Sequence, residues 1–132
     1  MLNKIIFAID DNTDVHAVAK FMRHIDTARA MGNLKGSFVQ CIGCYEGQLE
    51  PSYMMDERDY RALVDEKHYV EYQDCILHVP ADTRQPCTLE YPDEEHRLVL
   101  APMREVTAAE AMQCRAWTYV QATNKYFTTE KV

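Results

Sequence analysis

Val15, Val18, Met22, Ile25 and Ala28 recur at intervals of three and four residues, the spacing that lines one face of an α-helix. Asn12 or Thr13 can cap the start of this segment, and Gly32-Asn33 stops it. A helix with one apolar stripe needs a layer to lie against, and the chain on both sides of this one is rich in β-formers. Lys4 to Ile9 is a short apolar run ending in Asp10-Asp11-Asn12, the pattern of a buried strand followed by a turn. Beyond Gly36, Ser37 to Tyr45 reads as a strand closed by Gly47, and Pro51 to Met55 as a further extended piece. Asp56 to Val70, with Tyr60, Leu63 and Val64 on one side and an acidic first turn, predicts a second helix, and Asp74 to Val79 a strand after it.

Strand, helix, strand, strand, helix, strand is the order of an α+β chain of the ferredoxin-like βαββαβ type, an antiparallel sheet with two helices on one face. C-terminal β-hairpin extensions are expected beyond it. Cys87 to Tyr91 and Arg97 to Ala101 flank Pro92-Asp93-Glu94-Glu95 as a hairpin would. Trp117, Tyr119, Tyr126 and Phe127 around Thr123-Asn124 favour a closing hairpin within Ala116 to Thr129. Between them, Thr107-Ala108-Ala109-Glu110 is a capping-box sequence that opens a short helix. Neither a repeat nor a linker divides the chain, so residues 1–132 are read as a single domain, large enough to bury about two-thirds of its unfolded surface.

A formal charge of −7 argues against generic binding to nucleic-acid backbones, although an acidic protein can also act as a DNA-mimicking decoy. The apolar stretches fall far short of the roughly 20 residues of a membrane span, and no long apolar segment precedes the first acidic pair. A cytoplasmic protein without membrane partners is therefore expected. Five cysteines, an odd number, suit thiols in a reducing compartment. Cys41 and Cys44 form a C-x-x-C that, with Cys75, Cys87 and His78, invites a zinc site. Residues three apart on a strand face opposite ways, so buried thiols and no metal are the expectation. The five histidines lack an H-x-x-x-H spacing, and no G-x-S-x-G supports serine catalysis.

Candidate chemistry concentrates in Gly43-Cys44-Tyr45-Glu46-Gly47-Gln48-Leu49-Glu50-Pro51-Ser52, where one strand ends and the next begins. Glycines permit close approach of a ligand to the backbone, and Tyr45, Gln48, Glu50 and Ser52 supply hydrogen-bonding groups. Taken alone, the same cluster also reads as an ordinary polar β-turn.

The run GCYEGQLEPS, preceded by KGSFVQCI and followed further on by QDCIL, resembles the corresponding stretch of bacteriophage S-adenosylmethionine lyases, formerly described as hydrolases. Arg23 to Gly36 is similar to their first helix and its exit, and AWTYVQATNKYF to their C-terminal aromatic strands. The resemblance implies a ferredoxin-like fold, a homotrimer with sites at subunit interfaces, and a pocket for S-adenosylmethionine lined by a Tyr and a Glu. Tyr45 matches the first as a catalytic residue. Glu50 is the choice for the second, with Glu46 and Asp56 as alternatives. Ser52 and Gln73 are candidate substrate-binding walls, with a structural role open for each. No cofactor is implied, because this substrate carries both its electrophile, a carbon beside a sulfonium, and its nucleophile, an ionised carboxylate. A lyase giving 5'-methylthioadenosine and homoserine lactone, with an anti-restriction role through depletion of the methyl donor, is the first expectation. A hydrolase giving homoserine directly, and a non-catalytic acidic anti-restriction protein or ferredoxin-like regulatory module, remain alternatives.

Overall fold

The computed structural model describes residues 3–8, 15–36, 38–64, 76–91 and 97–130. Strand β1 (Lys4–Ala8) is followed by helix α1 (Val15–Ala30), then β2 (Phe38–Tyr45), β3 (Gln48–Asp56) and helix α2 (Glu57–Val64). Next come β4 (Ile76–Val79), β5 (Thr88–Glu90), β6 (Arg97–Val99), β7 (Arg104–Val106), helix α3 (Ala108–Gln113), β8 (Ala116–Val120) and β9 (Lys125–Thr128). The cap at Asn12 or Thr13, the 65–70 end of the second helix, Asp74, Cys75 and the 92–95 turn lie outside the described residues.

Local chemistry explains the punctuation. Gly32, at φ 77°, ends α1 by returning its N–H to the carbonyl of Arg29 while the Asn33 N–H reaches Ala28, which satisfies two carbonyls that the helix leaves open. At the start of α3 the capping box is complete: the Glu110 N–H donates to Thr107 Oγ1 at 3.1 Å, and the Thr107 N–H donates to Glu110 Oε1 at 3.0 Å. β2 and β3 are joined by the two residues Glu46 and Gly47, both at positive φ (50° and 84°), the turn geometry that matches the twist of a hairpin. β3 therefore begins at Gln48 and runs through Pro51, which lies one residue beyond the last described β1–β3 pair, Ala8 with Ser52.

Among the described residues all pairings are antiparallel, and nine strands form one sheet in the order β6-β5-β4-β1-β3-β2-β8-β9-β7. The core lies on one face of its centre. Ile5, Phe7, Tyr53, Met55 and Ile76 point there and meet Ile25 and Ala28 of α1 and Tyr60 of α2, with Met22, Leu34 and Phe38 packed at the margin. Fully burying a side chain such as Ile5, Ile25 or Met55 contributes about 1.5–3 kcal/mol. Ile6, Cys41, Ser52 and Val120 are also buried, though their strand parity puts them on the opposite face. The sheet curls into a half-barrel. The edge strands β6 and β7 are joined by residues 100–103, and there the Ala101 N–H donates to the carbonyl of Thr129, just past β9, at 3.1 Å.

The ferredoxin-like βαββαβ expectation is thus corrected: the architecture is mostly antiparallel sheet with few helices, not a four-stranded unit carrying two helices and appended hairpins. β8 pairs along the outer edge of β2 and β5 along that of β4, so strands β5 to β9 continue the same sheet. The physical reason is that a four-stranded sheet would leave two rows of unpaired N–H and C=O groups, and this chain satisfies them with its own later strands.

Candidate functional site

Along the β2–β3 hairpin, Tyr45 pairs with Gln48, Gly43 with Glu50 and Cys41 with Ser52. Directly paired residues share a face and alternate residues keep it, so Tyr45, Glu50 and Ser52 stand on the face away from α1 and α2. The neighbouring strands add Ala116 beside Tyr45, Thr118 beside Gly43 and Ala8 beside Ser52. The centre of this patch therefore carries small groups only, while a phenol and a carboxylate flank it. Gly43 is needed for that: a Cβ there would stand 3.0 Å from Ser52 Oγ and 3.6 Å from the Glu50 carbonyl. Ser52, which is buried, donates from its hydroxyl to the same Glu50 carbonyl at 3.1 Å and so braces the strand beneath the Glu50 side chain.

Tyr45 is 56% exposed at the rim, and Glu50 is half-buried. Arg115, just before β8, reaches across to the hairpin turn. Its Nε donates to Glu46 Oε1 at 2.7 Å, its Nη2 donates to Tyr45 Oη at 3.1 Å, and its carbonyl accepts the Glu46 N–H at 2.8 Å. The hydrogen bond to Glu46 and the charge of that carboxylate hold the guanidinium more firmly protonated than usual.

The candidates read from sequence separate accordingly. Tyr45, Glu50 and Ser52 come together, and Glu46 is engaged with Arg115. Asp56 lies six residues along β3 from Glu50, about 20 Å away at strand rise, and forms an ion pair with Lys4. Gln73 lies outside the described residues. Arg115 and Thr118 went unnoticed because nothing local marks them; only the β2–β8 register brings them beside the hairpin.

Cys41 and Cys44 fall on opposite faces of β2, and no group of three or more His, Cys, Asp or Glu suited to a metal occurs among the described residues. Burial pushes the Cys41 thiol up to about 11, an inert thiol at neutral pH. A second polar cluster sits at the far end of the central strands. Glu57 Oε2 accepts from Asn3 Nδ2 at 3.0 Å and lies 3.1 Å from His78 Nε2, and Arg61 Nη2 donates to Oε1 at 3.3 Å. Desolvation raises the Glu57 pKa, but these hydrogen bonds and the His78 charge together outweigh it and hold the carboxyl below its usual value. Among the described residues no helix is long and apolar enough to cross a membrane.

The model of the S-adenosylmethionine lyase family matches residues 11–130, a span that contains the whole β2–β3 hairpin, Arg115 and β8. No curated protein matches the chain.

Proposed function

The chain belongs to the S-adenosylmethionine lyase family, and we propose that it cleaves S-adenosylmethionine by intramolecular attack of the methionine carboxylate on the γ-carbon. The carboxylate oxygen forms a bond to Cγ, the Cγ–S bond breaks, and its electron pair passes to sulfur. The products are homoserine lactone and neutral 5'-methylthioadenosine. Neither a proton transfer nor a cofactor is required.

The observation that carries this reading, within the family, is the juxtaposition of Tyr45 and Glu50 across a patch of small groups on one sheet face. Such a reaction gains chiefly from a held near-attack geometry, so the demand on the protein is to fold the substrate, not to activate it. Sulfonium and carboxylate charges cancel in the transition state, and a site that excludes water favours that cancellation. Glu50 acts best as the anchor of the substrate ammonium. Placed beside the sulfonium, it would stabilise the charge that must vanish. Tyr45 orients the methionine chain through its hydroxyl, and Ser52 and Gln73 serve as polar walls.

Exposure of Tyr45 at the rim supports a site completed by a neighbouring copy, in keeping with a homotrimer whose pockets lie between subunits. Such cleavage would deprive the methylation and restriction systems of a host cytoplasm of their methyl donor. Incubation of the purified protein with S-adenosylmethionine tests the reading: methylthioadenosine and lactone appear together at early times. Homoserine appearing without prior lactone would replace cyclisation by hydrolysis, and no thioether at all would end the proposal.

A further inference from the structure

Glu46 sits at positive φ without being Gly, Asn or Asp, a conformation that is unfavourable for a residue with a side chain and needs support from its surroundings. Arg115 holds that turn twice, through its carbonyl on the Glu46 N–H and its Nε on the Glu46 carboxylate. The same guanidinium lies 5.5 Å from the centre of the Tyr45 ring and donates to its oxygen. A guanidinium has donors only, so the bond between them is accepted by Tyr45 Oη, and the phenol's own proton must point elsewhere.

We propose that Arg115 is the positioning residue of the site: it fixes the Tyr45 phenol as a hydrogen-bond donor toward the carboxylate of the methionine moiety. This rests on the lyase reading above. On that moiety the ammonium only donates and the carboxylate only accepts, so a phenol proton finds its partner in the carboxylate, and the nearby guanidinium reinforces the choice. One carboxylate oxygen is held by Tyr45 while the other is aimed at the γ-carbon. Glu46, neutralised by Arg115, is removed from competition for the ammonium.

A double-mutant cycle tests the assignment. Arg115→Ala is expected to lower kcat about tenfold with KM changed by less than about threefold, whereas in a Tyr45→Phe background it costs less than about twofold. Arg115→Lys, which keeps a cationic donor, recovers part of the loss. Equal losses in the two backgrounds, or wild-type kcat in Arg115→Ala, would overturn the proposal. A second measurement needs no turnover. In substrate-free protein labelled with 13C at tyrosine Cζ, the resonance lost in Tyr45→Phe is expected to shift in Arg115→Ala. An unmoved resonance refutes the contact itself, while wild-type protein that makes no methylthioadenosine refutes the lyase reading instead.

Discussion

Replacing Gly36 with alanine places a methyl group in space already held by two buried carboxylates. The added Cβ would stand 2.0 Å from Asp56 Oδ2, 2.7 Å from Asp56 Cγ and 3.0 Å from Asp59 Oδ2, far inside the ~3.5 Å at which atoms pack best. Neither acid can yield freely. Asp56 pairs with Lys4, and Asp59 accepts the Lys35 N–H at 3.0 Å and the Gly36 N–H at 2.8 Å, which ties the exit of α1 to α2. A hydrogen bond to a charged group contributes about 1.5–3 kcal/mol, so displacing one or more should cost about 2–4 kcal/mol. With an unfolding entropy of roughly 2.1 cal/mol/K per residue over 132 residues, the expected fall in Tm is about 7–14 °C. Circular-dichroism melts of four proteins decide it: wild type, Gly36→Ala, Asp56→Ala and the double variant. Removing the Asp56 carboxylate takes away the closest contact, so Gly36→Ala should cost clearly less in the Asp56→Ala background. A Gly36→Ala protein that melts within about 1 °C of wild type, or an undiminished penalty in the double variant, refutes the steric argument.

Glu50→Gln is expected to lose most turnover while keeping its melting curve, and Tyr45→Phe to lose less; wild-type kcat/KM in Glu50→Gln removes that carboxylate from the site. Because the folded pKa of Glu57 is depressed, its stabilisation is fully present above the ordinary carboxyl value near 4.5 and is lost as pH falls through the folded value. Glu57→Gln should accordingly be less stable than wild type in urea at neutral pH and indistinguishable from it under strongly acidic conditions, and a gap that persists in acid contradicts the assignment. In native protein at pH 8, iodoacetamide should modify Cys44 and Cys114, which are partly exposed, well before Cys41, whose thiol burial holds near 11; early Cys41 adducts in a peptide map would show that β2 opens.

What could be read in advance was what neighbouring residues dictate. The α1 stripe was legible because Met22, Ile25 and Ala28 repeat at the helical period and do face the core, and the Thr107–Glu110 box because its signal spans four residues. Both C-terminal hairpins announced themselves through turn residues between β-rich runs. Pro51 misdirected the start of β3, since a residue without an N–H reads as a break, although one-sided pairing tolerates it. Arg104–Val106 gave no strand signal, being three residues with two charges. The continuous sheet escaped notice for a different reason. Joining β2 to β8 or β7 to β9 is a matter of register between distant segments, and no local pattern encodes it. For the site, Tyr45, Glu50 and Ser52 lie within one hairpin and could be grouped by alternation alone, whereas Arg115 enters only through that distant register.

β2, which bears Tyr45, finds one partner immediately in β3 and the other only across more than 70 positions of chain, where Tyr45 meets Ala116. During synthesis its second edge stays open until residues 116–120 have left the ribosome, a long interval in which a foreign strand could dock there. Assembly of the half that carries the proposed site is thereby delayed until β8 is made, and nascent chains stalled before that point carry an adhesive seam along the strand that bears Tyr45.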